Sequence, residues 1–95
     1  MIIKFRDVSS GIVEARASIE IMPEIYLMEV TILRKNGVLL VELPQKSFKG
    51  KDGRMHHLDL ITFESENKET IWKMEILEEY QNWRKKNKKV LVYEP

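Results

Sequence analysis

The sequence predicts an α+β fold: a curved antiparallel β-sheet of about five to six strands, with one C-terminal amphipathic helix packed on it. Three observations carry this prediction. Residues 12–22 alternate apolar and polar side chains, Asn36-Gly37 separates two runs rich in branched residues, and beyond Ser65 the apolar spacing changes from two to three and four. The chain has 95 residues, enough for a single domain spanning 1–95.

The first strand is expected over Met1–Val8, ending at the turn signal Ser9-Ser10-Gly11. From Ile12 to Met22, Val13, Ala15, Ala17, Ile19 and Ile21 alternate with Glu14, Arg16, Ser18 and Glu20. One buried face and one wet face mark an antiparallel strand, since parallel strands are covered on both sides. Pro23-Glu24 interrupts it, and Ile25–Lys35 forms the third strand. Asn36-Gly37 follows, the pair that best tolerates the positive φ of a type I′ turn, so Val38–Leu43 returns as the fourth strand and stops at Pro44. Gln45–Arg54 (QKSFKGKDGR) reads as a polar loop, and Met55–Phe63 as a fifth strand.

The helix begins near Ser65 or Asn67, with Glu66 and Glu69 suited to the positive end of its dipole, and runs to about Lys86. Trp72, Ile76, Tyr80 and Trp83, with Leu77, form the stripe that faces the sheet. Ile71 and Met74 fall on the other side of the helix, a second apolar edge that points to a partner subunit. Val90–Tyr93 (VLVY) reads as a short terminal strand.

Composition narrows the chemistry. With 43% hydrophobic and 33% charged residues the chain is globular with a highly charged surface. There is no cysteine, which excludes disulfides, thiolate metal sites and a thiol nucleophile. No apolar run approaches the ~20 residues of a membrane span and no signal peptide is recognisable, so a cytoplasmic protein without a membrane partner is expected. His56 and His57 are adjacent on a strand and point to opposite faces, so they do not chelate one metal ion; one surface and one half-buried imidazole are expected. Ser9, Ser10, Ser47 and Ser65 sit in turn or cap contexts, and Glu69–Lys73 is an ordinary helix-surface pair. Gly50 and Gly53 lack the spacing of a phosphate loop. Neither catalysis nor a cofactor nor a small-molecule substrate is expected.

The basic segments carry the functional reading. Arg84, Lys85, Lys86, Lys88 and Lys89 place five cations in six positions at the helix end, more than the dipole of the last turn requires. Lys46, Lys49, Lys51 and Arg54 form a second cluster around Phe48. Together they would track a phosphate backbone through counterion release, with Phe48 stacking on an exposed base. The net charge of +1 on the chain does not by itself select a partner.

The order of these signals resembles the SpoVG family, the stage V sporulation protein G or septation-regulator proteins. The similarity covers about Met22–Tyr80: the third strand ending at Lys35, the Asn36-Gly37 turn, and VLLVELP with Pro44 and Gln45-Lys46. It continues through the loop KGKDGR, the strand at Met55–Phe63 and the helix WKMEILEEY closing on Tyr80. The strand VEARASIEI suits the family's second strand. Order and spacing carry the resemblance rather than any one motif. It implies a homodimer and a DNA- or RNA-binding regulator of gene expression, sporulation or septation. It also favours the helix-end cations Arg84, Lys85 and Lys86, continuing to Lys88 and Lys89, as the contact. The alternative is a protein–protein interaction module, using the second helix edge and the VLVY segment to pair with another chain.

Overall fold

The structure, a computed structural model, describes the backbone of residues 1–92 and the side chains of residues 1–87. It is α+β, with six antiparallel strands and one C-terminal helix. The strands are β1 (Ile3–Ser10), β2 (Val13–Met22), β3 (Ile25–Lys35), β4 (Val38–Glu42), β5 (Gln45–Lys49) and β6 (Met55–Asp59), followed by α1 (Glu66–Val92). They divide between two sheets: a meander in the order β1-β2-β3-β4, and a separate β5–β6 ribbon. The division falls at Pro44, which has no N–H to give a ladder; its carbonyl instead accepts the Leu60 N–H at 3.3 Å and closes the base of the ribbon.

The alternation in β2 fixes the core. Ala15, Ala17 and Ile19 face inward with Val30, Ile32 and Val41 from β3 and β4, and Ile76 and Tyr80 of α1 close over them. Two small alanines leave the room that these larger helical side chains fill. Burying such side chains contributes about 1.5–3 kcal/mol each. Phe5 extends the cluster, its ring 5.6 Å from Tyr80 and 5.5 Å from Trp83. The Asn36-Gly37 turn forms as expected, with φ of 52° and 80°.

The other face of the meander is polar but partly covered. There Thr31 is buried and accepts a 2.7 Å hydrogen bond from Arg16 Nη1. Arg16, Glu29, Thr31, Gln45, Ser47 and His57 help to line a groove of about 360 Å³, so the ribbon leans over this face.

At the helix start, Ser65 Oγ accepts the Lys68 N–H at 3.2 Å and the Ser65 carbonyl accepts that of Glu69, which makes Ser65 the N-cap. Ile71 and Met74 are 49% and 63% exposed, on the side away from the sheet. No helix among the described residues is long and apolar enough to cross a membrane.

Three expectations are corrected. The strand expected over Met55–Phe63 ends at Asp59. Gln45–Lys49, expected within a loop, is a strand: it pairs with Met55–Asp59 through five residue pairs, from Gln45↔Asp59 to Lys49↔Met55. All five of its residues are exposed, so no alternation marks it in the sequence. The Val90–Tyr93 segment is not a terminal strand as far as Val92, because α1 continues through it; Tyr93 lies outside the described residues. Extending a helix adds one hydrogen bond per residue without a new nucleus, and here that outweighs the β preference of Val-Leu-Val.

Candidate nucleic-acid interface

The first basic cluster rides on the ribbon. Lys46 and Lys49 lie on β5, Lys51 and Arg54 in the turn between the strands, and all four are exposed. Strand alternation places Lys46 and Phe48 on one face with Leu58 and His56, and Lys49 on the other with Met55. Phe48 stacks on His56 with ring centroids 5.4 Å apart and 23° between planes, yet stays 45% exposed. An aromatic ring flanked by a lysine and open to solvent is suited to stacking on a base.

The tip of the ribbon is held by its own acid. Asp52 accepts the Arg54 N–H at 3.0 Å and lies 3.1 Å from His56 Nε2. The Arg54 amide, then His56, hold its carboxyl below the usual aspartate range. Asp52 is therefore engaged locally rather than paired with the neighbouring lysines. Gly50 packs so closely here that a Cβ would lie 2.5 Å from His56 Nε2. His57 sits across from Ser47, whose Oγ is 3.0 Å from Nδ1, on the opposite face from His56. His56 is half-buried and His57 exposed, and no group of three or more metal-ligating side chains occurs among the described residues.

The second cluster lies at the far end of α1. Lys85 and Lys86 are exposed. Lys88 and Lys89 fall on the helical backbone, and their side chains are outside the described residues. Arg84 is different. Its Nε and Nη2 donate to Tyr80 Oη at 3.1 and 2.8 Å, and Nη2 also reaches Asp7 at 3.2 Å and the Glu14 carbonyl at 3.4 Å. The guanidinium lies 5.0 Å from the Trp83 ring centroid, and its side chain is 22% exposed. Hydrogen bonds to Tyr80 and Asp7 push its pKa further up despite the opposing effect of burial.

Behind Arg84 stands a network absent from the sequence expectations. Tyr80 Oη donates to Glu14 Oε1 and Arg34 Nε donates to Glu14 Oε2, both at 2.6 Å. These two bonds hold the Glu14 carboxyl below the glutamate range, while burial followed by Glu14 raises the Tyr80 phenol. Glu14 occupies a β-bulge of β2, where Val13↔Leu33 and Ala15↔Ile32 leave it as the extra residue. The one sequence signal for Arg34 is its place just before the Asn36-Gly37 turn, which brings the third strand's end to the helix.

The two clusters occupy different regions. The base of the ribbon meets the early part of α1, where Gln45, Asp59, Ile61, Glu69 and Lys73 help to line a groove of about 430 Å³. Lys85 is twelve residues beyond Lys73, about 18 Å along the helix at the usual rise. Six of the nine expected site residues, Lys46, Lys49, Lys51, Arg54, Lys85 and Lys86, are exposed and make no ion pair with a described carboxylate. No protein-family model matches the chain, and neither does any curated protein sequence.

Proposed function

We propose that the protein is a dimeric, cytoplasmic nucleic-acid-binding regulator, similar to the SpoVG family, which grips DNA or RNA through phosphate contacts. The observation that carries this reading is the set of six exposed cations in two clusters with no internal carboxylate partner among the described residues. The one acid within the ribbon cluster, Asp52, is engaged by the Arg54 N–H and His56 rather than by a cation side chain. Exposed Phe48 beside Lys46 adds a stacking element. No constellation of Arg and Asn suggests base-edge readout, so the expected mode is electrostatic positioning with modest sequence preference.

The homodimer is supported by the apolar edge that Ile71 and Met74 leave exposed on the side of α1 away from the sheet. A second copy also brings a second pair of basic clusters onto one strand.

Retention of labelled single-stranded and duplex oligonucleotides on a filter at two salt concentrations tests the reading. Steep salt dependence is expected, and its logarithmic slope should fall when Lys46, Lys49, Lys51 and Arg54 are replaced by Ala. The same change at Lys85, Lys86, Lys88 and Lys89 should act alike. Unchanged affinity in both variants refutes the site. The competing reading, an interaction module without nucleic acid, draws on exposed Ile71 and Met74; it is favoured if the protein retains no oligonucleotide yet sediments as a dimer that Met74→Glu dissociates.

A further inference from the structure

A groove of about 580 Å³ runs between the β3–β4 turn and the last described turns of α1, with Glu14, Arg34, Leu39, Tyr80, Arg84 and Lys85 on its walls and Gln81 at its side. Three cations and the Glu14 carboxylate line it, and Asp7 stands beside it, 3.2 Å from Arg84 Nη2. Both oxygens of the Glu14 carboxylate are already used, Oε1 by the Tyr80 hydroxyl and Oε2 by Arg34 Nε. Arg34 Nη1 turns to the Gly37 carbonyl at 3.3 Å. Among the described residues, Nη2 of Arg34 and Nη1 of Arg84 make no hydrogen bond. Arg34 is thus fixed in orientation by Glu14, and Arg84 by Tyr80 and Asp7, while one N–H₂ group of each remains to donate. A guanidinium held this way loses little side-chain freedom when it takes up a tetrahedral oxyanion.

We infer that this groove is a phosphodiester subsite: Arg34 and Arg84 donate to the two non-bridging oxygens of one backbone phosphate, and Lys85 adds a point charge. The inference rests on the nucleic-acid reading and makes it specific. It adds the turn end of β3, with Arg34, to the interface, and gives Arg84 a defined role beside its internal contacts. Glu14 and Tyr80 are positioning residues that aim the two guanidinium groups. Leu39 supplies an apolar wall against which a sugar can lie.

Gln81 offers a clean test, because it lines the groove, is exposed and takes part in no described hydrogen bond. With the full chain and oligothymidylate as probe, Gln81→Glu should weaken binding about fivefold at low salt and Gln81→Lys should strengthen it, with thermal stability unchanged in both. In a ¹⁵N spectrum the Nε–H resonances of Arg34 and Arg84 should shift as oligothymidylate is added, and move much less with inorganic phosphate at equal ionic strength. If the wild-type protein binds with steep salt dependence while the Gln81 variants match it and both arginine resonances stay still, the groove assignment is overturned and the proposed function stands. If inorganic phosphate moves these resonances as far as the strand does, the site belongs to a free phosphate group and the strand assignment falls. Absence of any binding by the wild-type chain overturns both.

Discussion

Tyr80 and Glu14, 66 positions apart in the chain, are joined by a 2.6 Å hydrogen bond from the phenol to the carboxylate. The bond locks the middle of α1 onto the bulge of β2. Tyr80 is 1% exposed, and its hydroxyl also accepts from Arg84. Tyr80→Phe removes an acceptor from Arg84 and a donor from Glu14 while keeping the ring, and should cost about 1–2 kcal/mol. A lowering of the melting temperature by roughly 4–8 °C per kcal/mol is the expected readout. No change would mean that water replaces the hydroxyl without loss.

The same pair sets an acid limit. Because the folded protein holds the Glu14 carboxyl below its unfolded value of about 4.3, the stabilisation is present above that pH and is lost as pH falls through the lower folded value. Asp7 acts in the same direction, its carboxyl lowered first by the Ser9 hydroxyl and then by Arg84. Urea midpoints should therefore fall as the pH is lowered through the glutamate range, and Glu14→Gln should flatten the fall. A variant with the wild-type pH profile would place the acid sensitivity elsewhere.

The two sides of the helix should differ in their response to truncation. Ile76 is fully buried in the core cluster that holds Ala15, Ala17 and Val30, so Ile76→Ala is expected to cost about 2–5 kcal/mol. Met74→Ala, on the exposed side, should change the stability of the isolated fold by no more than about 0.5 kcal/mol. Chemical denaturation at low protein concentration distinguishes the two.

At the ribbon tip, Gly50→Ala forces a methyl group to within 2.5 Å of His56 Nε2 and 2.8 Å of Asp52 Oδ1. His56 must swing away, releasing Asp52 and unstacking Phe48. Faster amide exchange from Lys49 to Met55, with the core amides unchanged, is the expected result. If the proposed function holds, oligonucleotide affinity falls as well, because freed Asp52 lies among Lys49, Lys51 and Arg54.

What the sequence reveals depends on how far its signals reach. The inward set Ala15, Ala17 and Ile19, the Asn36-Gly37 turn, a helix start at Ser65 or Asn67 and the Trp72–Trp83 stripe are each set by neighbours a few positions away, and all are legible before any coordinates. β5 is not legible, because neither of its faces is buried and nothing imposes a period of two on QKSFK. Val90–Val92 misleads because branched residues favour strands, whereas the preceding turns of helix carry the chain onward. Arg84 reads as one more cation in a run; its partners Asp7 and Glu14 lie 77 and 70 positions away, and only the packed fold brings them there.

In β3 a second bulge changes the phase of the strand. Ala17↔Val30 and Ile19↔Leu27 leave Met28 and Glu29 opposite a single residue of β2, with Glu29 at a φ of 61°. Inward-facing positions are therefore odd-numbered before the bulge, at Leu27, and even-numbered after it, at Val30 and Ile32. Excising Glu29 would remove this bulge with Leu27 and Val30 still directed inward, whereas losing one residue elsewhere between Val30 and Arg34 would rotate part of the strand outward. The central ladder thus contains a single-residue tolerance for length variation, and a chain shortened there would keep its interior while its polar face flattened and lost the carboxylate beside Arg16.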